Sequence, residues 1–267
     1  MPGDIPLEFF GIAPFADTPL WAIGLTALAH FGGFLIRGAF GFGSNLPIVM
    51  ATTLLLGPHH AIILTILTAS FSQVHLFPQG VRRADWRLVF ALIVGVYLGI
   101  AIGTYVFASL SPAALAPILG ALVIVIVIMD RTNAIQRLGR LTDLRARPTV
   151  ASLSVISGFV GTVSGGGGIY FLAPFLKHMC PTPDGFRSTS LVLSGLFMLG
   201  RVTFIAIAGF FDSQLVAEAV LLLPAVLLGG WAGTRWFHWA DPSKFFAGLS
   251  AMLTLGALLL IAKGVFG

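Results

Sequence analysis

Charge is the scarcest property of this sequence. Of its 267 residues only 9% are Asp, Glu, Lys or Arg, while 57% are hydrophobic. A soluble domain carries about 25% charged residues, so a soluble globular fold is excluded. Cysteine is almost missing too. Cys180 alone can close no internal disulfide and has no CxxC partner, which argues against a redox pair or a metal cluster. The opening stretch MPGDIPLEFFGIAPFADTP has no basic n-region and carries Asp4, Glu8 and Asp17, so it does not read as a signal peptide. No GxxxxGK[ST] occurs, so direct use of ATP is not expected. The net charge of +5 is not interleaved with aromatics in any soluble segment, which points to cytoplasmic loops and not to nucleic acid.

Long apolar blocks fill the space that charge leaves. Blocks recur at 60–77, 88–110, 112–129, 189–211, 215–237 and 245–261, close to the roughly 20 residues that a membrane helix needs. They do not alternate, as the strands of a membrane barrel would. The sequence predicts an all-α polytopic membrane protein with about eight hydrophobic segments in all.

The chain also repeats itself. LGIAIGTYVFASLSP (98–112) and LGGWAGTRWFHWADP (228–242) agree at six of fifteen positions, at a constant offset of 130. Upstream, Asp85 in RRADWR pairs with Asp212 in GFFDSQ, and GAFGFGSN (38–45) pairs with GTVSGGGG (161–168). Internal duplication is common in secondary transporters. Basic residues decide its sense, because short cytoplasmic loops collect Lys and Arg. Suppose each glycine motif joins two half-helices that enter and leave on one side, each copy then adding three full spans. With the N-terminus outside, Arg82, Arg83, Arg87, Arg131, Arg137, Arg140, Arg145, Arg147, Lys177, Arg187, Arg235 and Lys244 fall inside, and Lys263 alone falls outside. If the motif crossed once instead, Lys177, Arg187, Arg235 and Lys244 would move outside. The inverted arrangement fits better. Its parts are an extracytoplasmic segment 1–19, a first repeat 20–129, a basic cytoplasmic linker 130–149 and a second repeat 150–267. Segments 150–163, 169–179 and 46–56 are each too short to span, whereas 20–36 nearly could.

Four adjacent glycines at membrane depth need a reason, since each costs roughly 1 kcal/mol against alanine in a helix. Non-helical backbone survives there only beside protein or a wet cavity. The two motifs therefore predict helix breaks, with glycine allowing close approach of a ligand. Each half-helix after a break exposes its first N–H groups, a natural anion site. Ser44 and Asn45 are good N-caps, and Pro47 suits an early helical position. Candidate substrate contacts are Gly41, Gly43, Ser44 and Asn45 in the first break and Ser164, Gly166, Gly167 and Gly168 in the second. Gly95, Gly99, Gly103, Gly229 and Gly233 read instead as close helix packing. Arg37 and Arg201 fall at membrane depth, where a charge costs roughly 2.5–3.5 kcal/mol, and the sequence offers no acidic partner at comparable depth, the nearest, Asp212 and Glu218, belonging to an expected outer end. A guanidinium waiting for an oxyanion explains both. His75 occupies nearly the place in the first copy that Arg201 holds in the second, and could couple protons. Ser70, Gln73, Ser190 and Ser194 are candidate cavity-lining groups.

GFLIRGAFGFGSNLP and GFVGTVSGGGGIYFLAPFL together resemble the paired glycine motifs of the sulfite exporter TauE/SafE family. The second motif has the usual form, with Gly166, Gly167, Gly168 and Pro174; the first carries Ser44 and Asn45 where glycines are common. The resemblance covers nearly the whole chain. It implies a multi-pass permease of the bacterial inner membrane for sulfite, sulfonates such as sulfoacetate, or related anions. The expected function is thus a secondary carrier, not an enzyme. It would export a small sulfur-containing anion through a midplane site, with the lipid bilayer and the anion as partners, a homodimer compatible, and no cofactor or metal. An anion channel of the same fold stays open, separable by saturation of transport. A remote alternative is an intramembrane serine peptidase using Ser164, which needs a histidine at similar depth; His178 and His238 fall at expected interfaces.

Overall fold

The computed structural model describes residues 12–16, 18–40, 43–132, 134, 137, 143–166, 168–180 and 182–236. They form ten helices: α1 (Leu20–Phe40), α2 (Asn45–Leu56), α3 (Pro58–Val81), α4 (Trp86–Ser109), α5 (Pro112–Arg131), α6 (Arg147–Val163), α7 (Gly168–Met179), α8 (Pro183–Ile207), α9 (Ser213–Leu221) and α10 (Leu223–Trp236). Helices are what apolar surroundings demand, because every backbone N–H and C=O finds its partner within the segment. By length and composition α1, α3, α4, α5 and α8 can each cross a membrane, and the bent pair α9 and α10 adds a sixth if the two helices form one span. The helix ends follow local chemistry. Asp85 accepts from Leu88 N at 3.1 Å and Asp212 accepts from Leu215 N at 2.7 Å, so the two aspartates matched in the repeat are both N-caps. Thr182 caps α8 through Gly185 N at 3.2 Å.

Three boundaries differ from expectation. The helix before the first break is 21 residues long, about 31 Å, and not the shorter piece 20–36; it continues through Gly38, which is packed against Gly230 and Thr234. The block 189–211 ends as a helix at Ile207, since Gly209 takes φ +78°. The block 215–237 is not one straight helix: α9 and α10 meet at a 43° bend. Pro224, lacking an N–H, cannot donate to the Val220 carbonyl, and the helix breaks there. The expected segment 245–261, with Lys244, Lys263 and His238, lies outside the described residues.

Close-packed glycines set the helix pairs. Gly95, Gly99 and Gly103 of α4 lie against Ser154, Val155, Phe159 and Thr162 of α6, so these helices run parallel. Gly38 of α1 lies against Gly230 and Thr234 of α10, and Gly229 against the Phe31 carbonyl. Gly80 and Phe77 of α3 meet Ser188 and Gly195 of α8, which makes that pair antiparallel. The antiparallel pair is fastened at one end by Arg83 Nη1 to Asp184 Oδ2 at 3.0 Å and Arg187 Nη2 to Gln79 Oε1 at 3.4 Å. Large apolar side chains such as Trp21, Val74, Phe90, Val94 and Ile207 stand exposed around the outside. A surface of that kind suits lipid and not water. A small cluster of Phe34, Ile48, Ala69, Met198 and Val226 draws α1, α2, α3, α8 and α10 together beside the breaks.

Candidate functional site

Both breaks lie where the sequence places them, and they touch. In the first, Gly43 takes φ +99° before α2 begins at Asn45. In the second, α6 ends at Val163, Gly165 takes φ +73°, and α7 begins at Gly168. Asn45 Nδ2 donates to the Gly165 carbonyl at 3.4 Å. A Cβ placed on Gly166 would collide with Asn45, with its amide carbon 3.0 Å away. A Cβ on Gly165 would meet Val49 at 2.6 Å and Ile62 at 3.0 Å. Ser157 Oγ donates to the Gly168 carbonyl at 2.7 Å, holding the start of α7 against α6. The backbones approach this closely because side chains are missing there.

The expected side-chain caps are not made. Ser44 has a helical backbone (φ −71°, ψ −41°), its carbonyl accepts from Ile48 N at 3.3 Å, and its side chain caps nothing. The hydroxyl turns sideways instead. Ser44 Oγ donates to Asn45 Oδ1 at 2.7 Å and accepts from Arg37 Nη1 at 3.4 Å. Arg37, in the last turn of α1, also sits favourably at the negative end of that helix.

A small cavity, open on one side, lies where the breaks meet. The first break contributes Arg37, Gly43 and Asn45; the second contributes Gly161, Gly166, Gly168 and Ile169. One face of α8 closes it with Ser194, Phe197, Met198 and Arg201. Arg201 is 1% exposed and Arg37 3%, and Arg201 Nη1 donates to the Gly165 carbonyl at 3.2 Å. Arg37 Nε, Arg201 Nε and Arg201 Nη2 are buried with no hydrogen-bond partner. The ion pairs among the described residues are His60–Glu218 and Arg83–Asp184, so neither cavity arginine is matched by a carboxylate there. Two permanently charged groups are thus held out of water with donors to spare, an arrangement whose cost an oxyanion would offset.

The remaining candidates scatter. Ser164 is buried and its hydroxyl donates to the Val160 carbonyl at 2.6 Å. His178, considered as a base for it, is exposed at the far end of α7. Gln73 is buried with both amide heavy atoms unpartnered, and Ser190 is buried with an unpartnered hydroxyl; neither lines the cavity. Ser70 Oγ donates to the Ile66 carbonyl of its own helix at 2.6 Å. His75 is exposed on α3 beside Gln79, at 3.3 Å. Gly41 and Gly167 lie outside the described residues. Gly161, Ile169, Phe197 and Met198 are lining residues that sequence reasoning did not name. For α8 the signal was present: stepping back from Arg201 by three, four and seven residues gives Met198, Phe197 and Ser194, one helical face.

A second polar cluster went unread. Glu218, placed by the sequence at an outer helix end, is fully buried and ion-paired to His60.

Residues 25–260 match the family model described as sulfite exporter TauE/SafE. The chain is also similar to a protein of Cupriavidus necator (strain ATCC 17699 / DSM 428 / KCTC 22496 / NCIMB 10442 / H16 / Stanier 337) named "Probable sulfite/organosulfonate exporter TauE", with 24% identity over 248 residues. That alignment covers 91% of this chain and 93% of the relative. No solved structure matches. The family match spans nearly the whole of a chain with several membrane-crossing helices: it is a multi-pass membrane protein that belongs to the sulfite exporter TauE/SafE family.

Proposed function

We propose that this protein is a secondary transporter that exports a small sulfur-containing anion, sulfite, sulfoacetate or a related organosulfonate, across the bacterial inner membrane. The observation that carries the reading is the cavity between the two breaks, with Arg37 and Arg201 buried beside it and holding unpartnered N–H groups. A sulfonate or sulfite presents several oxygens to a guanidinium fork, and the freed amides at the starts of α2 and α7 add donors. The relative's name, a sulfite/organosulfonate exporter, agrees with that chemistry.

Two inverted repeats, 20–129 and 150–267, joined by the basic linker 130–149, complete the reading, with segment 1–19 outside. Support comes from the contact of Arg83 with Asp184 at 3.0 Å. If each motif crossed the membrane once, the end of α3 and the start of α8 would lie on opposite faces, roughly 30 Å apart. Reciprocal packing supports it further, for α4 of the first copy lies on α6 of the second, and α10 of the second on α1 of the first. The site then lies near the midplane, and the copies rearrange around it. Export needs no nucleotide. An inside-negative potential drives anion exit with roughly 2.3 kcal/mol per charge per 100 mV.

The test is sulfite efflux from proteoliposomes. Arg201→Ala abolishes saturable efflux while the purified variant keeps the wild-type unfolding profile. Undiminished efflux in that variant refutes the assignment.

A further inference from the structure

Away from the cavity, buried charge gathers at the beginnings of α3 and α9. Glu218 has no exposed surface. Its Oε1 accepts from the backbone N–H of Phe15 at 3.1 Å and from Gln214 Nε2 at 3.2 Å, and its Oε2 pairs with His60 Nε2. The His60 side chain is 32% exposed. Phe15 is itself buried, with φ +58°, and its ring lies 6.5 Å from the imidazole. The strap ahead of α1 is therefore fastened to α9 by one carboxylate, whose other oxygen holds α3.

This cluster spans both copies, as the cavity does. His60 and the strap precede the first break or follow it closely, and Glu218 lies in the second half of the chain. Ile62, two residues after His60, packs on Gly165 in the second break. The Glu218 carbonyl accepts from Leu222 N at 3.1 Å, where α9 bends into α10. A change at Glu218 is thus one or two contacts from the bend and from the break.

A carboxylate surrounded by donors and closed to solvent has room for one small ligand, a proton, and the part-exposed imidazole provides its route. We propose that His60 and Glu218 form a proton-binding site that fastens the N-terminal strap to the beginnings of α3 and α9. One proton from the bathing solution passes through His60 to Glu218; an O–H bond forms, the site gains one positive charge, and the strap loses its ionised acceptor. Deprotonation returns the proton to solvent. The other described titratable groups facing this end are few. His59 Nε2 lies 3.3 Å from the Phe107 carbonyl, Asp212 caps α9, and Tyr105 of α4 points outward. On α5, α10 and the strap, no described titratable group faces the pair.

The idea rests on the transport reading for its role but has its own readout. Hydrogen–deuterium exchange of the strap and sulfite efflux are measured together from about pH 8 to about pH 4, a span bracketing ordinary His and Glu values. In the wild type, after correction for intrinsic exchange, strap protection and efflux each change by about fivefold or more across the span. Glu218→Gln keeps size and an acceptor but cannot titrate, so strap protection becomes flat and efflux keeps only the pH dependence of sulfite itself; His60→Gln serves equally if that variant folds poorly. Arg201→Ala loses efflux at every pH yet keeps the strap's response. A strap that responds in a protein without sulfite efflux sinks the transport reading and spares this site. A wild-type strap indifferent to pH, or a Glu218→Gln strap that responds as the wild type does, overturns the proposal.

Discussion

The two breaks solve one problem with different residues. At the first, Arg37 stands on the helix that enters the break and reaches Ser44, seven positions on, whose hydroxyl in turn donates to Asn45 Oδ1. Everything there is local. At the second, the arginine comes from another helix: Arg201 of α8 reaches the Gly165 carbonyl across 36 positions. The Gly165 carbonyl also accepts from Asn45, so the two breaks are joined at one oxygen. His75, which the sequence matches with Arg201, is exposed and touches Gln79. The two guanidinium groups therefore serve their breaks differently, one from the helix that enters the break and one from across the bundle.

That difference can be broken by substitution. The largest effect is expected at Gly165, where φ is +73° and a Cβ would meet Val49 and Ile62. Gly165→Val adds left-handed strain of about 1–2 kcal/mol to overpacking of about 1–3 kcal/mol, and loss of folded protein in detergent is the expected outcome. Gly43, also at positive φ, bears the strain term: Gly43→Ala lowers stability by about 1–2 kcal/mol in an unfolding titration. Equal losses at the two positions would show the breaks to be interchangeable. Asn45→Ala is the mildest. It removes a long hydrogen bond to the second break and costs about 0.5–1.5 kcal/mol, read as a small drop in melting temperature.

Both breaks, both arginines and the packing glycines were legible in the sequence, because each is a local violation of what a membrane helix tolerates. A run such as SGGGG or an arginine among leucines announces itself without any neighbour. Asp85 and Asp212 were matched in the sequence only as a pair; that each caps a helix, bonding three residues ahead, came from the structure. What was not legible depends on distant partners. Asn45 reads as a helix cap, but the cavity turns it toward Gly165, 120 positions away. Glu218 reads as a loop-end charge, and its burial follows from Phe15, 203 positions earlier. Phe197 and Met198 read as ordinary apolar residues of α8, and only the position of Arg201 makes their face a lining. The bend at Leu222 had a local cause in Pro224, yet 215–237 reads as one continuous apolar block.

The central claim is that the two buried guanidinium groups and the joined breaks make one anion site. The direct measurement is sulfite affinity of the purified wild type, Arg37→Ala, Arg201→Ala and the double variant. Truncating a buried charged partner costs about 2–5 kcal/mol, so each single variant should weaken binding by about 30-fold or more. The double variant should lose much less than the sum of the two, because both arginines hold the same ion. Wild-type affinity in either single variant contradicts the account.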